Sequence, residues 1–257
     1  MVTKVVIAAA GQGTRMLELS KNKSKHLIEV KNRPFIAYLM DNLLTAGYSE
    51  LILVVGFKNE LMEEFVKNYT PPADFKKEDY KITIVNQCEI LGPKEKMYGT
   101  VCPLMCTKEI IGSDPFLFIF GDGLYSPEDL KAMDINDNYS YVAGISSNHP
   151  EKYGVLFCDG NGFLIKKIEK PKEFVGNLID PGLYKFTSEI FKYIYKVEKS
   201  ARGEYELSDA LNLLAHEKLV KIKKIESWHD FGNPEDVKKM SKFLEYENCD
   251  TKPNCGK

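Results

Sequence analysis

The sequence lacks the features that mark several large classes of protein. It contains six cysteines, at positions 88, 102, 106, 158, 249 and 255, and no two of them form a C-x-x-C pair. A disulfide scaffold needs a much higher cysteine density, and common zinc and redox motifs need the close pair. Cys102 and Cys106 are four residues apart, so they would be neighbours on one face of a helix. Two metal ligands would have this spacing, and so would two small buried side chains. We favour buried side chains.

The sequence also lacks a strong charge of either sign and any long apolar run. Its net charge of −2 gives no electrostatic basis for binding nucleic acid or an anionic membrane. No apolar run reaches the length of a membrane span, and Met1 leads directly into an apolar strand without the pattern of a signal peptide. We therefore expect small-molecule partners, no nucleic acid, no membrane and a cytoplasmic location. A homo-oligomer remains open.

The two best-known phosphate-binding motifs are missing as well. The string G-x-x-x-x-G-K-[ST] does not occur, and G-x-G-x-x-G fails because Met16 occupies its third glycine position. Instead, an apolar strand leads into AAGQGTR at residues 9–15, and Lys25 follows ten residues after Arg15. Glycines let backbone N–H groups approach phosphate oxygens, and Arg15 and Lys25 add positive charge. The pattern predicts a nucleoside triphosphate site, although two glycines alone are also typical of a simple tight turn.

Apolar patterning predicts an α/β protein. Buried strands are expected at residues 2–10, 50–56 and 115–120, and a strand of alternating pattern at 80–85. Helices at 34–46 and 59–68 alternate with these strands. The second half is expected to contain strands at 139–145, 155–158, 163–168, 182–186 and 219–225, with a hairpin turn at 159–162. Helices are expected at 188–195 and 206–216. Residues 232–236 are expected to cap a final helix that runs to about Tyr246, followed by a frayed tail from Glu247. We predict a Rossmann-like three-layer α/β/α fold around a mostly parallel mixed sheet.

Two aspartates follow predicted strands. Asp122 lies in the string FGDG, just beyond the strand at 115–120, and Asp230 lies between His229 and Phe231. Ligands of open α/β sheets bind at the carboxyl ends of the strands, and carboxylate oxygens suit Mg²⁺ beside a triphosphate. We expect Asp122 and Asp230 to hold Mg²⁺. Taken singly, Asp122 could be a turn residue and Asp230 a helix-capping residue.

Other polar groups could complete a substrate site. Glu169 could accept hydrogen bonds from sugar hydroxyls, and Lys170 could neutralise a monophosphate, although exposed Glu-Lys pairs are common. Gly154 and residues 180–184 permit close backbone approach to a ligand. The Gln87 carboxamide and the Gly99–Thr100 backbone could bind the edge of a base.

These residues together resemble the sugar-phosphate nucleotidylyltransferase family, which includes glucose-1-phosphate uridylyltransferases and thymidylyltransferases. The opening signature of that family, A-A-G-x-G-T-R followed by P-K-x-L-x-x-V, is matched at residues 9–15 and 24–30, with Ser24 in place of proline. Later matches follow in the order of the family: Gln87, Gly99-Thr100, Gly121-Asp122, Tyr153-Gly154-Val155, Glu169-Lys170-Pro171, Gly182-Leu183-Tyr184, residues 203–210 and residues 228–234. The chain departs from the family at residues 90–98, which resemble an insertion, and at Gly176-Asn177.

The resemblance implies a reaction in which a nucleoside triphosphate and a hexose 1-phosphate form a nucleotide sugar and pyrophosphate. UTP or dTTP and glucose 1-phosphate are the favoured substrates. A cytidylyltransferase acting on another acceptor, such as choline phosphate, and an inactive sugar-nucleotide-binding regulator are the alternatives.

The resemblance also divides the chain by role. A single nucleotidyltransferase domain at 1–246 is expected, with a nucleotide-binding half at 1–122, a sugar-phosphate-binding half at 123–246 and a polar tail at 247–257. The expected catalytic residues are Arg15, Lys25 and Asp122. The expected nucleotide-binding residues are Ala9, Ala10, Gly11, Gly13, Thr14, Arg15, Gln87, Gly99 and Thr100. The expected sugar-phosphate-binding residues are Gly154, Glu169, Lys170, Asn177, Gly182 and Tyr184.

Overall fold

The computed structural model describes residues 2–11, 13–21, 23–56 and 59–250. Its strands are β1 (Lys4–Ala9), β2 (Glu29–Val30), β3 (Arg33–Pro34), β4 (Glu50–Val55), β5 (Lys81–Asn86), β6 (Phe116–Phe120), β7 (Gly123–Tyr125), β8 (Ser140–Ser146), β9 (Gly154–Cys158), β10 (Leu164–Glu169), β11 (Leu178–Asp180), β12 (Leu183–Phe186), β13 (Val220–Lys224) and β14 (Trp228–Asp230).

Its helices are α1 (Phe35–Thr45), α2 (Glu60–Asn68), α3 (Gln87–Leu91), α4 (Cys102–Met105), α5 (Lys108–Ile111), α6 (Pro127–Lys131), α7 (Ile190–Ile194), α8 (Leu207–His216) and α9 (Pro234–Asp250). Short 3₁₀ helices lie at Thr14–Ser20, Lys25–Leu27, Lys77–Asp79 and Pro150–Lys152.

A mixed sheet forms the centre of the fold. Its strands follow the order β10-β9-β11-β8-β12-β6-β1-β4-β5, and β13 pairs with β8 outside this row. The strands β1, β4, β5, β6, β8, β9 and β13 run in one direction, whereas β10, β11 and β12 run in the other. The predicted mixed sheet of mostly parallel strands is therefore confirmed.

The central strands are buried on both faces. Val5 and Ile7 of β1 pack into a hydrophobic cluster with α1, α6 and α9, whereas Val6 and Ala8 pack into a second cluster with α4, α7 and α8. Successive strand residues point to opposite faces, so a strand covered on both sides is apolar throughout. The layers of helices on the two faces complete the predicted three-layer architecture.

Two of the predicted helices differ by more than one residue at an end from the observed ones. The helix predicted at 188–195 is confined to Ile190–Ile194, because residues 188 and 189 form a turn in which Ile190 N–H donates to the carbonyl of Thr187. The last helix continues to Asp250, so the prediction of fraying from residue 247 is wrong for 247–250. No proline occurs between Pro234 and Pro253, and a polar composition alone does not end a helix. The predicted tail at 251–257 lies outside the described residues.

The cysteine prediction is confirmed. Cys102 and Cys106 are buried on α4 and its carboxyl end, and Sγ of Cys106 donates to the carbonyl of Cys102 at 3.3 Å. Burial raises the pKa of Cys102 to about 11 and that of Cys106 to about 12. Within the described ranges, no helix has the length and apolarity needed to cross a bilayer.

Candidate active site

A cavity of about 450 Å³ opens at the carboxyl ends of β1 and β6. This volume lies in the range of small-molecule sites, and the position is where ligands bind to open α/β sheets. Ala10, Gly11 and Asp122 line it from the first half of the chain, and Gly154 and Asp230 line it from the second. Predicted site residues from the two halves of the chain therefore line one cavity.

The turn after β1 places Lys25 at the cavity. Gly13 has φ +64°, and a Cβ at this position would lie 2.9 Å from Cβ of Lys25. A side chain at position 13 would therefore collide with the lysine as well as strain the backbone. Arg15 lies in the 3₁₀ helix that follows, is exposed, lines the cavity and forms no ion pair with the described residues. Both cations predicted from the motif therefore face the cavity.

Lys25 pairs with Asp122 within the cavity. Its ammonium donates to Oδ2 of Asp122, and both side chains are partly buried. Burial raises the pKa of Asp122, but the charge and the hydrogen bond of Lys25 outweigh burial and hold that pKa below its usual value. Asp122 is therefore ionised at neutral pH.

A two-stranded ribbon brings Asp230 beside Asp122. Its strands β7 and β14 pair Asp230 with Gly123, and Phe231 N–H donates to the carbonyl of Asp122 at 2.8 Å. Tyr153 donates its hydroxyl hydrogen bond to Oδ2 of Asp230 at 3.2 Å. Burial and the negative charge of Asp122 raise the pKa of Asp230 to about 6.

The two carboxylates fit a divalent cation. Mg²⁺ is usually bound by one or two carboxylates together with substrate phosphates, and Asp122 and Asp230 supply two carboxylates to one cavity. A cation between them would relieve the repulsion that raises the pKa of Asp230. Among the described residues, no group of three or more His, Cys, Asp or Glu side chains could hold a metal. The remaining ligands would therefore come from the substrate or water.

Gln87, Gly99 and Thr100 lie at another part of the cavity wall. Gln87 is buried, and its Oε1 has no hydrogen-bond partner among the described residues. A buried acceptor without a partner is costly, so a ligand N–H would stabilise this carboxamide. Gly99 and Thr100 adjoin the segment at 199–206. Tyr205 N–H donates to the carbonyl of Tyr98 at 2.9 Å, and Leu207 N–H donates to the Thr100 hydroxyl at 2.8 Å.

Glu169 and Lys170 follow one another at the end of β10 and line the same cavity. Ser208 donates its hydroxyl hydrogen bond to Oε2 of Glu169 at 3.0 Å. Lys170 is a non-glycine residue with φ +44°, a strained conformation that is enriched at ligand sites. Gly182 and Tyr184 line the same region.

Among the predicted site residues whose side chains the structure describes, three do not line this cavity. Ala9 packs into the core, and Asn177 is exposed on the surface. Gly13 packs against the Lys25 side chain, which itself lines the cavity. Thr14 begins a 3₁₀ helix, and Gln12 lies outside the described residues.

Sequence reasoning also missed a residue that lines the cavity. Lys167 is buried there and pairs with Asp180. Its position two residues before Glu169 on one strand was the available signal, since such residues share a face.

A cavity at the carboxyl ends of the strands, lined by two cations and two carboxylates, is typical of a protein that binds a phosphorylated nucleotide. Comparison with known proteins makes the class specific. Residues 4–247 match the family model described as nucleotidyl transferase. The UTP–glucose-1-phosphate uridylyltransferase AglF of Haloferax volcanii is 30% identical over 251 residues, which cover 95% of this chain and 97% of that protein.

Bifunctional relatives and solved structures are also similar. A bifunctional sugar-1-phosphate nucleotidylyltransferase/acetyltransferase of Sulfurisphaera tokodaii is 33% identical over 241 residues, which cover 93% of this chain and 55% of that protein. The chain thus spans about half the length of the bifunctional relative. A UDP-glucose pyrophosphorylase in complex with UDP-glucose has the same fold, with a TM-score of 0.82, 23% identity, and coverage of 96% of this chain and 100% of that one.

The chain belongs to the nucleotidyl transferase family, in its sugar-1-phosphate nucleotidylyltransferase branch. The resemblance identified in the sequence is confirmed, as is the transferase class. Enzymes of this family generally use a divalent metal ion.

Proposed function

We propose that this enzyme transfers the nucleotidyl group of UTP or dTTP to glucose 1-phosphate, forming a nucleotide sugar and pyrophosphate. The observation that carries the proposal is that Lys25, Asp122 and Asp230 line the same cavity as Glu169 and Lys170. The choice of UTP and glucose 1-phosphate is supported by the printed activity of AglF, which this chain matches along almost its full length.

The reaction needs positioning and charge stabilisation more than covalent chemistry by the protein. An oxygen of the sugar phosphate attacks the α-phosphorus, and the bond from that phosphorus to the oxygen bridging to the β-phosphate breaks. Pyrophosphate leaves with the electron pair. No general base is required, because the attacking phosphate is already an anion near neutral pH.

Each charged residue has a proposed role. Arg15 binds the departing phosphates, and Lys25 stabilises the charge that develops around the α-phosphate. Asp122 and Asp230 hold Mg²⁺, which supplies further charge neutralisation when bound. Tyr153 orients Asp230 through its hydrogen bond.

The two substrates are assigned to different parts of the chain. Residues 1–122 bind the nucleotide through Ala10, Gly11 and Gln87, and residues 123–246 bind the sugar phosphate through Glu169 and Lys170. These substrates agree with the cytoplasmic location expected from the sequence.

A substrate grid tests the proposal. Pyrophosphate release is measured with Mg²⁺ and each of ATP, CTP, GTP, UTP and dTTP against glucose 1-phosphate, N-acetylglucosamine 1-phosphate, mannose 1-phosphate and choline phosphate. Highest activity with UTP or dTTP and glucose 1-phosphate is expected. Turnover only with CTP and choline phosphate, or binding of a nucleotide sugar without any turnover, would contradict the proposal.

A further inference from the structure

A buried lysine that was not among the predicted site residues lines the cavity beside Glu169, which we propose to bind the sugar phosphate. Lys167 is only 8% exposed and shares a strand face with Glu169. Its Nζ donates to Oδ2 of Asp180 at 2.6 Å and lies 3.6 Å from Oε2 of Glu169. The ammonium therefore lies between two carboxylates.

The sheet explains how Lys167 reaches Asp180. Gly154 of β9 pairs with Glu169 on one side and with Asp180 on the other. A Cβ at position 154 would lie 2.0 Å from Cε of Lys167, so the lysine side chain crosses β9 through the space that the glycine leaves open. Any larger residue at position 154 would displace it.

In this cluster, one N–H of the Lys167 ammonium and one carboxylate oxygen of Glu169 are left to bind a ligand. Asp180 also accepts from the Tyr184 hydroxyl at 2.5 Å and from Gly182 N–H at 2.8 Å, so both of its oxygens are in use. Glu169 accepts from Ser208 through Oε2, and no described residue donates to its Oε1. An ammonium has three donors, and within the described part of the chain those of Lys167 meet only these two carboxylates.

Lys167 keeps its charge despite its burial. Burial lowers its pKa, but the carboxylates of Asp180 and Glu169 more than offset this, and the pKa is raised overall. The Lys167 ammonium, a charged donor, and the Glu169 carboxylate, a charged acceptor, therefore lie side by side in the lining of the cavity.

We propose that Lys167 is a specificity-determining residue that, together with Glu169, binds one hydroxyl group of the sugar phosphate. The hydroxyl oxygen accepts from the Lys167 ammonium, and the hydroxyl hydrogen is donated to Oε1 of Glu169. A hydroxyl of the wrong configuration, or none at all, leaves both charged groups without this partner, which is the arrangement that rejects analogues most strongly. The inference rests on the proposed function, because it assumes a sugar phosphate in this cavity.

Lys167→Met removes the donor and keeps a side chain of similar length. We expect the KM for the preferred sugar phosphate to rise by about tenfold or more, and the preference over its epimers to fall by a similar factor. The KM for the nucleoside triphosphate should change little. Lys166→Met is the matched control, because Lys166 is an exposed neighbour whose Nζ lies over the Phe157 ring.

The double variant Lys167→Met/Asp180→Asn separates recognition from stability. The single variant leaves the buried Asp180 carboxylate without its counterion, whereas the double variant removes both charges and should recover the melting temperature. We expect the sugar-phosphate KM and the weakened epimer preference to stay as in the single variant.

The outcomes are distinguishable. A double variant that regains the wild-type KM and epimer preference would show that the ion pair only stabilises the fold, and would overturn the inference. A wild-type enzyme that turns over no sugar 1-phosphate would instead contradict the proposed function on which the inference rests.

Discussion

The Lys25 ammonium donates a hydrogen bond to Oδ2 of Asp122 and thereby joins the segment after β1 to the turn after β6. The two side chains are 14% and 32% exposed, so water does not fully solvate either charge. Each residue therefore fixes the position of the other, and loss of one leaves the other partly buried without its partner.

Asp122→Asn should lower kcat by about a hundredfold or more. The substitution removes the negative charge of a carboxylate that pairs with Lys25 and that we propose as a ligand of Mg²⁺. The amide retains the size of the carboxyl group, so circular dichroism should show an intact fold. Pyrophosphate release gives the rate. Asp114→Asn is the control, because it makes the same chemical change in an exposed ion pair with Lys4 and should leave kcat unchanged. Near-normal turnover of Asp122→Asn would contradict the metal assignment.

Gly13→Ala should impair catalysis, whereas Gly47→Ala should not. Both glycines have positive φ, and Gly47 follows the carboxyl end of α1, so the backbone conformation alone should cost each variant about 1–2 kcal/mol of stability. A Cβ at Gly47 meets no atom within 4 Å, but one at Gly13 lies 2.9 Å from Cβ of Lys25. We expect a large fall in kcat for Gly13→Ala only. Equal activity of the two variants would show that Gly13 does not control the position of Lys25.

Lys25 and Lys170 should affect different kinetic constants. Lys25→Ala should lower kcat more than it weakens sugar-phosphate binding, since Lys25 acts on charge that develops during transfer. Lys170→Ala should mainly raise the KM for the sugar phosphate. The phosphate is already charged in the ground state, so Lys170 should stabilise the bound substrate and the transition state about equally. Steady-state kinetics with each substrate varied in turn measures both effects. The opposite pattern would exchange the two roles.

The buried His26 should make the protein less stable in mild acid. Burial and the neighbouring Lys25 lower its pKa from 6.5 to about 3, with an opposing contribution from Asp122. Between these values the unfolded chain binds a proton that the folded chain does not, so the free energy of unfolding should fall by about 1.4 kcal/mol per pH unit as the pH drops below 6.5.

The His26→Gln variant tests this slope. Urea unfolding at pH 7, 6 and 5 should show that the wild type loses about 2 kcal/mol more than the variant between pH 7 and pH 5. His149→Gln serves as the control because His149 is exposed. Parallel curves for wild type and His26→Gln would contradict the assignment.

Much of the fold could be predicted from local pattern. The strands β1, β4 and β6 lie within one or two residues of their predicted ends, because a strand buried on both faces is apolar throughout. Asp122 and Asp230 could be proposed as partners because each follows a strand, and strand ends are where ligands bind.

Contacts between distant segments could not be predicted in this way. Lys167 is an ordinary residue of a strand in sequence, and only the pairing of β9 with β10 and β11 places it against Asp180. Likewise, Thr100 was predicted to face a base through its backbone, and nothing local shows that its hydroxyl accepts from Leu207 N–H.

The hydrogen bonds from Tyr205 to Tyr98 and from Leu207 to Thr100 also constrain how this chain can be recombined with its relatives. The segment at 98–100 and the residues leading into α8 are about a hundred residues apart in the sequence, yet each completes the hydrogen bonding of the other. A chimaera that exchanged only the first 122 residues would separate two segments that have to match. Gene exchange that preserves this interface would carry residues 98–100 and 199–207 together.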